Sequence, residues 1–596
     1  MFFLEVTCGG PERREGENTS DPELKTLEKN GLTIRYKQGR LYSFHFDFED
    51  HFVIGEAIIP VDEGLFLEIL DHTYQLKNNL ISEGAAIHNL VIVETKAKRL
   101  ILAGSISGCR PLYYVADKGR FICSTHITAL KNAGLRLAPN EEIYPEFCVY
   151  RYIIPPRTLY AGIEKLMGGM INHFDLQSGE SVHYSPWYPA FWLLKDTLRE
   201  NDYISWIEGT LGRFIQDVVT IGKKGGLLLS GGLDSMALAA IARACDVKLD
   251  SVSSSFAFIN KDDREDEYAL SAAANLDMNH KIVSSTPEQY LTDLVKAIHT
   301  AEEPVHHLQS VMLYRLFRES VRSGYDLFLC GEGADGLCGN DAHMKYFKHH
   351  KRIKLGRKSG LHWLFKNIYP AMRKQNDRYE YFAHDFGRNI FGNRHILWTL
   401  GRYGELEIVK GYFHKSEDAI YKSRMDLMYF YSRMPLLEKI TFLSLLGEGF
   451  ETMTIWSKLA EGNRLKIAYP YVYPGLIQFI LQVPWNMKLR EDKLIVRSLL
   501  RWHEIPGEFV ARPKLSFGFP VKFWAPKGAL FQPLVDMAAE MFAPDFLRSL
   551  QCEDMPKAMV LWNLLNLYLW HKMFIGDARP EDLCAEILDR RRSYQK

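Results

Sequence analysis

Gly225-Gly226-Leu227-Leu228-Leu229-Ser230-Gly231-Gly232-Leu233-Asp234-Ser235 decides how the rest of this chain is read. A short apolar run, the size of a buried strand, enters a Ser/Gly bend that opens directly onto Met236 to Ala244, whose apolar residues recur at helical spacing. Strand, loop and helix in that order make a nest for an anion. Gly231 and Gly232 let backbone N–H groups come close to phosphate oxygens, Ser230 and Ser235 add hydroxyl donors, and the helix contributes its positive N-terminal end. Asp234 would repel a polyphosphate unless a hard divalent cation such as Mg2+ sat between them. The GxxxxGK[ST] spacing of a Walker A loop is missing, which disfavours γ-phosphate hydrolysis of that type and favours release of pyrophosphate. An isolated Ser-Gly-Gly would be read as a plain helix N-cap with Asp234 steadying the first turn. The apolar strand before it and the Asp-Ser pair after it carry the phosphate reading.

The same logic recurs downstream. Residues 325–330 read as a strand, and Gly331-Glu332-Gly333-Ala334-Asp335-Gly336 turns sharply with carboxylates inside it; the plain alternative is a polar turn that ends a strand. Further strand candidates at 226–229, 250–258 and 281–284, with helices between them, predict a parallel sheet covered on both faces, with both loops at the carboxyl ends of its strands. There Asp335 could share one Mg2+ with Asp234, leaving Glu332 for another task. Residues 30 to 190 read instead as short β-rich runs with period-two alternation and Gly/Asp turns, a predominantly antiparallel unit. Residues 189–201 read as a linker into a helix, 10–22 as a mobile loop, and the chain beyond about 345 as helical and aromatic-rich. The basic stretch 345–358 reads as a solvated face or a partner groove.

Composition bounds the function. A length of 596 residues allows two to four domains at about 150 residues each. Lys+Arg and Asp+Glu are both 73, so no basic excess supplies the field that nucleic-acid binders need. Nine cysteines are scattered without a CxxC pair, which suits a reducing cytosol. No apolar run reaches the roughly 18 residues of a membrane span, and the opening residues lack the basic n-region of a secretory leader. A cytoplasmic protein is expected.

The first loop resembles the PP-loop signature of ATP pyrophosphatases, and both loops together resemble the synthetase domain of the asparagine synthetase family. The likeness extends to Arg264 to Glu267, to the strand Ser251 to Phe258 whose backbone reads adenine in that family, to Glu303-Pro304, to Lys493 to Arg497 and Ile505-Pro506, and to Arg512 to Pro520. Cys109-Arg110-Pro111-Leu112-Tyr113-Tyr114 and Arg157-Thr158-Leu159-Tyr160 resemble landmarks of the family's glutaminase domain. The resemblance implies an α/β chain: an N-terminal antiparallel Ntn-hydrolase-like α+β domain over 1–190, then a doubly wound parallel-sheet PP-loop domain over 200–590 with a helical C-terminal part. It implies ATP and Mg2+ as cofactors. Ser230, Gly231, Gly232, Asp234, Ser235, Val252, Ser253 and Gly331 would bind ATP and pyrophosphate, Asp234 and Asp335 the metal, with Lys514 and Glu332 catalytic.

Departures from the family pattern set the substrate expectation. Active glutaminases of this kind carry a nucleophilic Cys directly after the initiator Met, where this chain has Phe2; Cys8 would be exposed only by trimming. Gly104-Ser105 replaces an Arg-Asp pair, and no Asn-Gly-Glu segment is present to hold glutamine. Asn463 to Pro470 resembles the family's Asn-Ser-Leu-Glu-Val-Arg-x-Pro stretch with Lys466 and Ala468 in place of its Glu and Arg. A lost glutaminase and a rebuilt acceptor stretch point to the branches with an inactive N-terminal domain, the β-lactam synthetases and lasso-peptide cyclases. The expectation is macrolactam formation in a ribosomal peptide, with a precursor peptide and its leader protease as partners. The rivals are ammonia-dependent amidation of aspartate or another small acid, PP-loop modification of tRNA or another nucleotide, and a scaffold without turnover.

Overall fold

The computed structural model describes residues 2–8, 23–38, 43–58, 61–62, 66, 87–105, 109–186, 199–256, 265–339, 343–344, 403–430, 441, 444–512 and 530–595. The expected mobile loop at 10–22, the basic stretch at 345–358, most of the 189–201 linker and Lys514 lie outside them.

The N-terminal part is built from two antiparallel sheets of six strands each. The first contains β1 (Phe3–Cys8), β2 (Lys25–Lys29), β3 (Leu32–Lys37), β8 (Tyr113–Asp117), β9 (Arg120–Ser124) and β10 (Glu164–Lys165). The second contains β4 (Ser43–Asp47), β5 (His51–Ala57), β6 (Ile87–Glu94), β7 (Arg99–Gly104), β11 (Met170–Asp175) and β12 (Ser181–Pro186). Leu4 and Val6 of β1 face Phe52, Ile54, Val91 and Val93 of the second sheet in one apolar layer, as alternation predicts. The antiparallel region therefore begins well before residue 30. The opening residues, weighed in the sequence only as a leader, form β1, a central strand of the first sheet.

A parallel sheet follows: β13 (Gly225–Leu228), β14 (Asp250–Phe256), β15 (His280–Ser285), β16 (Leu327–Leu329) and β17 (Lys466–Ala468), in the order β15-β14-β13-β16-β17. All neighbours run parallel. The strand order reverses between β13 and β16, and in open α/β sheets ligands bind at such a switch point, at the carboxyl ends of the strands. The Ser230 and Gly331 loops leave β13 and β16 at that end. Strand β17 is a short strand within the otherwise mainly helical described residues of the late chain. Lys466 pairs with Leu327 and Ala468 with Leu329, so the altered acceptor-like stretch is the fifth strand of the sheet.

The helices that position the site are α1 (Ile127–Asn132), α2 (Tyr144–Tyr150), α3 (Glu200–Ile221), α4 (Leu233–Ala244), α5 (Glu265–Asn275), α6 (Pro287–Ala301), α7 (Leu308–Arg322), α8 (Phe450–Gly462), α9 (Leu494–Trp502) and α10 (Met555–Phe574). Helix α10 is buried from Ala558 to Trp570 and again at Met573 and Phe574, with Trp562 and Trp570 fully enclosed. Its Asn563 and Asn566 serve buried backbone groups: Asn563 donates to the Cys148 carbonyl (2.9 Å), and Asn566 accepts from the Val305 N–H (3.1 Å). Among the described residues no helix is long and apolar enough to cross a membrane.

Candidate active site

Leu228 leads into the loop at the end of β13, and α4 begins at Leu233 with Gly232 as its N-cap and no side chain capping it. The first-turn N–H groups of α4 are therefore left to the loop and to whatever binds there. Gly232 N–H points toward the Ser230 hydroxyl (3.3 Å), and the Ser230 and Ser235 hydroxyl oxygens stand 3.5 Å apart. Gly231 adopts φ +71°, and a Cβ there would lie 2.6 Å from the backbone carbon of Tyr268 on α5. Glycine is required here both by the left-handed backbone and by the close approach of a helix.

The second loop closes on the first. Gly331 lies against Asp234 and Ser235, and Gly333, at φ +97°, leaves space that Val472 fills. The Tyr471 hydroxyl donates to the Asp234 carbonyl (3.1 Å), so the segment after β17 rests on both loops. Asp234 and Asp335 meet on one ammonium: Lys493 Nζ is 2.5 Å from Asp234 Oδ2 and 2.7 Å from Asp335 Oδ1. Burial disfavours the charge on Lys493, but the two carboxylates outweigh it and hold the ammonium well above the usual lysine range. The three groups together carry one net negative charge, so a divalent cation is attracted to them.

Two hard carboxylates beside an anion nest fit Mg2+, which takes few protein ligands and fills its shell with phosphate and water oxygens. Among the described residues no group of three or more His, Cys, Asp or Glu side chains could hold a metal by itself, so such an ion would need the phosphates. Adenine has a candidate site too. The Leu229 N–H donates to the Val252 carbonyl (3.0 Å), and β14 then runs on through Ser253 to Phe256, paired with β15 past the end of the shorter β13. Ser253 also holds His280 Nε2 (3.0 Å). Glu332 is half-buried at the head of the second loop, two residues after the buried Cys330, whose thiol is pushed up by burial and then by the Glu332 charge.

Lys493, Tyr471 and Arg512 were not assigned to the site from sequence. Lys493 and Arg512 lie in stretches that carry the family likeness, but nothing local to them shows what they touch. Arg512 donates to the Gly231 carbonyl (2.6 Å) and lies 3.3 Å from the centre of the Tyr268 ring. Arg497 of α9 holds the Arg512 segment by donating to the carbonyls of Val510 and Arg512.

Phe2 is fully buried, its N–H on Thr125 and its carbonyl on Ser124. Cys8 stands at the opposite end of β1, its thiol raised by burial, which disfavours the thiolate. Arg110 is committed to buried ion pairs with Glu56 (3.0 Å) and with Glu461 of α8 (2.5 Å).

Comparison with known proteins gives two family matches: residues 222–572 to Asparagine synthase and residues 68–188 to Glutamine amidotransferase domain. The chain is 22% identical to a Mycobacterium tuberculosis protein that bears the name asparagine synthetase [glutamine-hydrolyzing] provisionally, over 81% of this chain and 76% of that one. It is 21% identical to asparagine synthetase [glutamine-hydrolyzing] 1 of Bacillus subtilis, over 80% and 76%. It is 25% identical to the carboxyethyl-arginine beta-lactam-synthase of Streptomyces clavuligerus, over 41% and 44%.

Proposed function

The chain belongs to the asparagine synthase family of ATP-dependent carbon–nitrogen ligases that form AMP and pyrophosphate, and from that premise we propose that it activates a peptide carboxylate and joins it to an amine of the same peptide, closing a macrolactam of the lasso type. The observation that carries the ligase chemistry is the meeting of Asp234 and Asp335 on Lys493 beside the Ser230–Ser235 nest, at the point where strand order reverses. ATP binds with its adenine along the β14 backbone at Val252 and Ser253 and its β,γ-phosphates on Ser230, Gly231, Gly232 and Ser235. Asp234 and Asp335 would hold Mg2+, which when bound would neutralise charge on the leaving pyrophosphate. A substrate carboxylate oxygen attacks the α-phosphorus, forming acyl-AMP and releasing pyrophosphate. The amine then attacks the acyl carbon, Glu332 takes its proton, and AMP leaves as the amide forms. Lys514, by family resemblance, stabilises the charge at the reacting centre.

The source of the amine is argued from the N-terminal part and from one relative. Phe2 is fully buried, Arg110 is bound into ion pairs, and a beta-lactam-synthase stands among the relatives, which supports a substrate-borne amine in place of glutamine-derived ammonia. The second reading, amidation of aspartate with free ammonia, is favoured by the larger share of the chain matched by the asparagine synthetases.

ATP–pyrophosphate exchange separates the two. Stimulation by peptides carrying a free N-terminal amine and an internal Asp or Glu supports the macrolactam reading, and stimulation by free aspartate alone sinks it. Asp234→Ala is expected to lower exchange by at least about a hundredfold; undiminished exchange in that variant would remove Asp234 from the mechanism.

A further inference from the structure

Arg512 makes an unusual use of an arginine beside an anion site. Its guanidinium lies over the Tyr268 ring, 3.3 Å from the centroid, and one N–H is spent on the Gly231 carbonyl at 2.6 Å. Gly231 is gripped from the other side by the α5 backbone, where any Cβ would collide with Tyr268 and Ala269. In a trans peptide the carbonyl of one residue and the N–H of the next point in opposite directions. Pulling the Gly231 carbonyl toward Arg512 therefore turns the Gly232 N–H away from it, toward the Ser230 hydroxyl that stands opposite Ser235.

We propose that Arg512 is a positioning residue for the pyrophosphate nest: stacked on Tyr268, it locks the Gly231–Gly232 peptide plane with its N–H turned inward before the ligand arrives. This rests on the reading of the Ser230–Ser235 loop as a phosphate site. A donor already aimed costs nothing to reorient on binding, so the lock tightens affinity for the part of the nucleotide that the loop holds. Arg512 is itself held by Arg497 through its carbonyl, which ties the lock to α9, the helix that Lys493 directly precedes.

The test is titration of magnesium pyrophosphate and, separately, AMP into the full chain and its variants, with the unliganded thermal midpoint as a control of folding. Arg512→Gln is expected to weaken pyrophosphate binding roughly tenfold or more while leaving AMP within about twofold. Tyr268→Leu, which keeps the α5 backbone against Gly231 but removes the ring, is expected to reproduce that loss. Arg512→Lys, which retains the charge without the planar stack, is expected not to restore it. Full recovery with lysine, or equal loss of AMP and pyrophosphate, overturns the proposal. If the native chain binds AMP but not pyrophosphate, the phosphate reading of the loop falls first and the lock with it.

Discussion

Asp234 is held from three sides: Tyr471 donates to its carbonyl, Lys493 to its carboxylate, and Gly331 packs on its side chain. Its place, like that of Ser230 and Ser235, in a loop between strand and helix can be read from sequence because a strand, a glycine bend and a helix start lie within one short run. Lys493 could not be so read. Its partners are Asp234 and Asp335, more than a hundred residues away, and no periodicity relates residues at that separation. The pairing makes a definite prediction. Lys493→Met leaves two carboxylates facing each other without a cation and is expected to destabilise the unliganded chain by about 2 kcal/mol, as loss of charge-assisted hydrogen bonds does. Millimolar Mg2+ is expected to recover part of the lost thermal midpoint in the variant and to change the native chain less. Equal Mg2+ effects on the two would separate Lys493 from the metal question.

At the scale of elements, β13, β14 and β15 lie within a residue or two of where alternating strands and helices place them, since each is a short apolar run bounded by turns. Strand β16 is shorter than the apolar run around it suggests, Leu327–Leu329, and β17 carries no strand signal because three residues are too few for a period. The sheet itself recruits β17: its backbone completes the edge of β16, and Cys330 N–H donates to the Ala468 carbonyl (2.9 Å). The tightest constraint between elements is Gly231 against α5. Gly231→Ala imposes a left-handed cost of about 1–2 kcal/mol and pushes a methyl into helix backbone that cannot rotate away. The expected outcome is a lowered thermal midpoint together with loss of measurable ATP binding; a variant that binds ATP as the native chain does would show that the loop is not closed by α5.

Over the whole molecule, the N-terminal sheets and the parallel-sheet part are joined by a seam of buried charge. Lys165 pairs with Glu451 (2.6 Å) and Glu303 (3.4 Å), Arg424 with Glu146 (2.8 Å), and Arg151 with Glu448 (2.6 Å). Glu302 caps α1 through the N–H groups of Ile127 (2.8 Å) and Thr128 (3.0 Å) while accepting from Lys458 (3.1 Å). The seam titrates in two senses. Burial opposes ionisation of Glu302, but Lys458, His126 and the Thr128 hydrogen bonds overcome it and hold the carboxyl at about 2. The stability Glu302 brings is thus complete above its ordinary 4.5 and is lost as pH falls toward 2. Burial raises Glu451 from 4.5 to about 7 despite Lys165. Between those values the folded state keeps a proton the unfolded chain has released, so Glu451 lowers stability as pH rises, by up to about 1.4 kcal/mol per unit. Glu451→Gln is expected to remove that slope, so that its thermal midpoint gains on the native one from pH 5 to 7.5; parallel curves would contradict the assignment. None of these partners is visible in sequence, where Glu303, with Pro304, reads only as part of a family likeness and Glu302 carries no signal of its own. The amino-acid sequence by itself determined the two glycine loops at the strand ends, the order of the early parallel strands and the antiparallel character of the N-terminal part, because each is encoded in contiguous residues through backbone freedom and apolar spacing. Only the tertiary structure decided which lysine bridges the two aspartates, which arginine reaches the Gly231 carbonyl and how the two parts are riveted together, because those contacts depend on the packing of segments far apart in the chain.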